Sequence, residues 1–159
     1  MRPGPLVVAR LAAAATLGWV SAGATAWAQA SNGVYDQNCA ICHQRAGAGV
    51  PGAFPRLAGR AGALAALPPG RGVMIDAVLF GMSGKLVVDG QPILGLMPSF
   101  APLSDAQISE VLNYVVRLDG RKPRAFTPPE VAAARAAPAL SPSQVNALAR
   151  DPVLTAAAP

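Results

Sequence analysis

Histidine occurs once and cysteine only twice in this 159-residue chain. Without a third thiol there is no disulfide framework, and Cys39 and Cys42 are too close for a bond between them to constrain much chain. Aromatic residues are also few, at 5% of the chain, and both tryptophans, Trp19 and Trp27, lie within the first 28 residues. The rest must build its core around Tyr35, Phe54, Phe80, Phe100, Tyr114 and Phe126. That supply is thin, and it predicts that something other than side chains fills the interior. No basic run carries interleaved aromatics, which excludes a nucleic-acid footprint. No internal repeat is present.

What is there begins with a processing signal. Arg2 and Arg10 precede an uncharged stretch, Leu11 to Ala28, that closes on Ala26-Trp27-Ala28. A basic head, an apolar middle and an A-x-A end describe a secretory signal peptide over residues 1–28. A retained membrane anchor is the alternative, but the stretch is short and diluted by Ala, Gly, Ser and Thr, so stable insertion after processing is not expected. Loss of Arg2 and Arg10 leaves 11 basic against 8 acidic residues, a net charge of +3. Export to the periplasm places the two cysteines in an oxidising compartment.

The three scarce residues sit together in YDQNCAICHQRAGAG, as Cys39, Cys42 and His43. A zinc site fits poorly, because a structural zinc takes four ligands and adjacent Cys42 and His43 do not readily converge with Cys39. A thiol–disulfide oxidoreductase uses C-x-x-C at a helix start within a βαβ pattern, and that pattern is missing. Covalent haem attachment, for which C-x-x-C-H is the signature, fits best. Cysteines at i and i+3 present both sulfurs on one side, and the next residue offers an imidazole to iron. One covalent haem c would also supply the missing core.

A second axial ligand must then come from methionine. Met74 falls on the apolar side of a helix expected over 72–81, where packing suffices to explain it. Met82 stands at the end of that helix and remains a candidate. Met97, followed by Pro98 with its fixed backbone path, is the preferred ligand. His/Met ligation closes the iron to substrate and leaves one-electron transfer as the chemistry. A labile or open distal site, with ligand-binding or peroxidatic activity, is the alternative. No catalytic residue is expected: Asp36, Asp76, Asp89 and Asp105 read as surface, turn and cap residues.

The periodicities predict an all-α domain. A first helix covers 31–43, and the segment 44–72 lacks sustained periodicity, with an apolar side suited to wrapping. KLVVDGQPILG suggests a short hairpin around Asp89-Gly90. Ser104 and Gln107 form a capping box for a helix to Leu118. Two proline-led pieces from Thr127 and Ser141 read as an alanine-rich extension, residues 123–159, packed loosely on a domain of residues 29–122.

Through YDQNCAICH, GAGVPGAFPRLAG, GMSG…VDGQ and MPSFAPLSDAQISEVLNYV, the chain resembles the class I monohaem bacterial cytochromes c over residues 31 to about 120. The resemblance implies a helical domain around haem c, with the first helix crossing the one at 104–118. It implies thioethers at Cys39 and Cys42, His43 and Met97 as iron ligands, and a Pro55 carbonyl accepting a hydrogen bond from His43. It also implies Arg60 near a haem propionate, and redox protein partners, a dehydrogenase or a respiratory oxidase. Absence of tryptophan after residue 28 removes a propionate partner that some relatives use. Two ionised propionates would bring the charge to about +1.

Overall fold

Ser104 starts α5 (Asp105–Val115) with a reciprocal cap: its hydroxyl accepts from Gln107 N, and the Gln107 side chain accepts from Ser104 N. Ile108, Val111, Leu112 and Val115 follow at 3/4 spacing, and all four are buried. This face is the centre of the computed structural model, which describes Met1 and residues 32–158. The signal peptide expected over residues 1–28 lies outside the described residues, apart from Met1. Against α5 packs α1 (Gly33–Asn38), where fully buried Tyr35 meets the Tyr114 ring at 4.9 Å between centroids. Asn32 caps α1 through Tyr35 N and also donates to Glu110 at 2.8 Å, tying the two helices together.

The helix expected over 31–43 is interrupted. Cys39 adopts φ −114°, ψ −37°, and a separate turn, α2 (Ala40–His43), follows it. The segment 44–72 is not free of regular structure: a 3₁₀ turn at Arg45–Gly47, α3 (Arg60–Ala65) and the start of α4 (Pro68–Phe80) lie within it. Five of the six residues of α3 are buried, so it has no polar face to give a period. Leu67 precedes two prolines at the start of α4, the positions where the missing N–H costs nothing.

The domain is mostly helical but not all-α: the expected hairpin is a two-stranded antiparallel sheet, β1 (Met82–Val88) and β2 (Gln91–Met97), paired from Val88↔Gln91 to Met82↔Met97. It is longer than KLVVDGQPILG and takes in both methionines. Asp89 and Gly90, both at positive φ, make its two-residue turn. Leu86, Val88 and Ile93 point to a second apolar cluster with Val73, Ala149 and Leu154.

That cluster corrects the expectation of a loosely packed extension. Helices α6 (Pro128–Ala136), α7 (Pro142–Ala149) and α8 (Pro152–Ala157) bury Val131, Val145 and Leu154 almost completely. Asn146 and Ala149 are buried with Val145 in α7, and α6 is held further by Arg135, which donates to Asp105 and to the Ala101 and Leu103 carbonyls.

Candidate haem site

Cys39 links the two short helices around which the site is built. Its N–H bonds to the Tyr35 carbonyl at 2.8 Å, ending α1, and its own carbonyl accepts from Cys42 N and His43 N at 3.2 and 2.9 Å. The break therefore sets Cys42 and His43 one turn beyond Cys39. Both thiols are half-buried and not joined to each other.

His43 is held from the neighbouring loop. Its Nδ1 lies 2.8 Å from the Pro55 carbonyl. A carbonyl only accepts, so Nδ1 carries the proton and Nε2 keeps its lone pair. Burial pushes the imidazole pKa down, partly opposed by the Pro55 bond, which favours the neutral, metal-binding form. Gly49 makes this approach possible: it sits at φ +68°, and a Cβ there would lie 2.6 Å from Arg56 N and 2.7 Å from the Phe54 carbonyl oxygen. Tyr35 steadies the other side of the motif, donating its hydroxyl to the Gln44 carbonyl at 2.7 Å.

Two overlapping apolar cavities open beside this motif, with empty volumes of about 840 and 910 Å³ measured out to solvent. Their linings are overwhelmingly apolar with few polar groups, the wall a flat apolar cofactor needs. Cys39, His43, Pro55, Met82, Leu86 and Met97 line both, while Cys42 lines the first alone. The structure thus gathers the two cysteines, the histidine and both candidate methionines around one space. Met74 is 9% exposed in the main core and also borders the second cavity.

A buried cation adds to the fit. Arg60 is 6% exposed, lines the second cavity with His43, and its Nη1 has no hydrogen-bond partner among the described residues. Burial works against its charge, and a buried guanidinium normally sits against an anion. A porphyrin propionate is such an anion. Asn146, from α7, was not anticipated; it is 6% exposed and borders the first cavity. Its signal is faint in sequence, a lone amide on the buried side of an alanine-rich helix.

Alternative chemistries fit less well. No group of three or more His, Cys, Asp or Glu residues among the described residues is placed to hold a metal ion. The Cys39 thiol is pushed up to about 11, by burial first and by neighbouring Cys42 second. A redox-active thiol needs the opposite shift.

A family model described as cytochrome c oxidase, cbb3-type, subunit III matches residues 26–115. A cytochrome c-552 of Thermus thermophilus is 41% identical over 132 residues, covering 79% of this chain and 87% of that protein. A second Thermus thermophilus cytochrome c-552 is 42% identical over 121 residues, covering 72% and 89%. The chain belongs to the cytochrome c family. As a cytochrome c it carries one covalent haem c and works as an electron carrier, not as an enzyme. The apolar space, the C-x-x-C-H residues on its wall and Arg60, whose Nη1 has no partner among the described residues, fit that group. No helix among the described residues is long and apolar enough to cross a membrane.

Proposed function

We propose that this cytochrome c is exported to the periplasm and shuttles single electrons, its haem attached through Cys39 and Cys42 and its iron held by His43 and Met97. The observation that carries the reading is the fixed imidazole: Nδ1 is engaged by Pro55 at 2.8 Å, and the ring borders both cavities. Bound there, haem supplies a ferric–ferrous couple whose potential is raised by a His/Met ligand pair.

The residues around Met97 favour a ligand that stays in place. Its backbone closes the hairpin ladder opposite Met82, and Pro98 restricts the next step. Beyond it, Ser99 Oγ donates to the Leu79 carbonyl and Phe100 N to the Val78 carbonyl at 2.8 Å, fastening the segment to α4. Little movement between redox states means small reorganisation. Arg60 would bind a propionate.

Docking falls to apolar residues near the cavity mouth. Ile41 is 81% exposed and Leu96 69%, with Phe54 beside them on the same cavity wall. A small apolar rim suits the brief contacts of a redox encounter. A periplasmic dehydrogenase or respiratory donor and an acceptor such as a terminal oxidase are the proposed partners; the matching family's description, an oxidase subunit, supports the second. Processing after Ala28 would leave a cytochrome domain at 29–122 continued by 123–159.

Absorption spectra of the exported protein in both redox states test the reading. Pigment that survives acid–acetone extraction, with a weak far-red ferric band from iron–sulfur coordination, is the expected result. Pigment lost on extraction refutes attachment. Ready carbon monoxide binding to the ferrous form would favour the open-site alternative.

A further inference from the structure

Met82 and Met97 are ladder partners at the open end of the hairpin. Residues directly opposite in an antiparallel pair project to the same face, with Cβ atoms roughly 4.5–5.5 Å apart. Both side chains border both cavities, and both are half-buried. The pairing has a backbone requirement. Gly81, at φ +77°, brings the end of α4 so near β2 that a Cβ there would lie 2.5 Å from the Met97 carbonyl oxygen.

From this juxtaposition we infer that Met82 is a standby axial ligand, able to take the iron when the Met97 sulfur is absent or displaced. The inference rests on the His43–Met97 reading. A thioether is unbranched and polarisable, with three rotatable bonds to span the offset between the strands. In the exchange one iron–sulfur bond breaks and another forms; both ligands are neutral, so no proton or electron moves. Met82 also touches the second apolar cluster only as a partly buried neighbour. It is not one of that cluster's buried members, and it lines both cavities.

The test uses holoprotein carrying Met97→Ala, Met82→Ala or both, with Met97→Leu as a volume-keeping companion should the alanine variant fold poorly. Met82→Ala should keep the far-red ferric band unchanged. Met97→Ala or Met97→Leu should keep a weaker one, and the double variant should have none. If Met82 occupies the iron nine-tenths of the time in the single Met97 variant, ferrous carbon monoxide affinity should be about tenfold weaker there than in the double variant. Single Met97 variants that match the double variant in both readouts, beside a normal Met82→Ala, overturn the standby role and leave His43–Met97 ligation intact. Loss of the band in Met82→Ala alone overturns the ligand reading itself, because Met82 would then be the resident ligand.

Discussion

Arg71 and Glu130 form a two-pronged ion pair between α4 and α6, with Nε to Oε1 at 3.0 Å and Nη2 to Oε2 at 2.8 Å. The same guanidinium donates to the Arg124 and Ala125 carbonyls and stands 3.9 Å from the Phe126 ring centroid. One buried cation thereby fastens the linker after α5 and the first C-terminal helix to the body of the fold. Truncating Arg71 removes these contacts, while Glu130, partly exposed, keeps its pair with Arg124 at 3.0 Å. Arg71→Ala should cost about 2 kcal/mol, as losing hydrogen bonds to charged groups does, read by urea unfolding of the holoprotein.

The same pair sets an acid limit. Arg71, through its hydrogen bonds and charge, holds the Glu130 carboxyl below its usual 4.5. A carboxyl with a lower pKa folded than unfolded stabilises the fold fully above the unfolded value, and the contribution fades as pH falls through the folded value. The wild type should therefore lose stability below pH 4.5, and Glu130→Gln should flatten that part of the profile. Melting temperatures between pH 3 and 6, at fixed salt on the order of 0.1 M, would show it. Parallel curves for the two proteins would remove Glu130 as the cause.

Some of this architecture was legible and some was not, for identifiable reasons. The Cys39–Cys42–His43 cluster and the Ser104–Gln107 cap are local, so spacing alone reveals them. Asp89-Gly90 marked the hairpin turn, but its strands ran on to Met82 and Met97, because pairing depends on what lies opposite and not on local propensity. Helix α3 escaped notice because Arg60, Ala61, Gly62, Ala63 and Ala65 are buried together, which erases periodicity. Cys39 breaks the first helix without a proline or glycine, so no residue type announces the interruption. The C-terminal helices read as weakly amphipathic because each sets only one large apolar residue, Val131, Val145 or Leu154, fully inside among alanines. Asn146 and the close pairing of Met82 with Met97 are products of tertiary structure, invisible along the chain.

Tyr35 supports the haem-binding motif from beneath. It is fully buried, its hydroxyl bonds to the Gln44 carbonyl at 2.7 Å, and its pKa is pushed up to about 12, chiefly by burial. Gln44 follows His43 directly and sits at φ +60°, so this bond secures a backbone turn few side chains favour. Tyr35→Phe removes the bond while keeping the ring against Tyr114. The expected loss is about 1 kcal/mol in chemical unfolding. An unchanged midpoint would show that solvent satisfies Gln44 equally well.

Arg60 allows the cofactor's contribution to be separated from that of the chain. In a Cys39→Ala/Cys42→Ala protein from which the no longer covalent haem has been extracted, the buried Nη1 has no partner among the described residues, so Arg60→Leu should be neutral or stabilising there. In the holoprotein a propionate would engage the guanidinium, and the same substitution should destabilise. It should also lower the reduction potential, since a nearby cation favours the reduced, more negative haem, and make the propionate harder to ionise. Redox titration across pH measures both effects, with thermal unfolding of the paired haem-free and haem-bound proteins beside it. Equal destabilisation in the two backgrounds, with an unmoved potential, would mean that Arg60 serves the packing of α3 and not the haem.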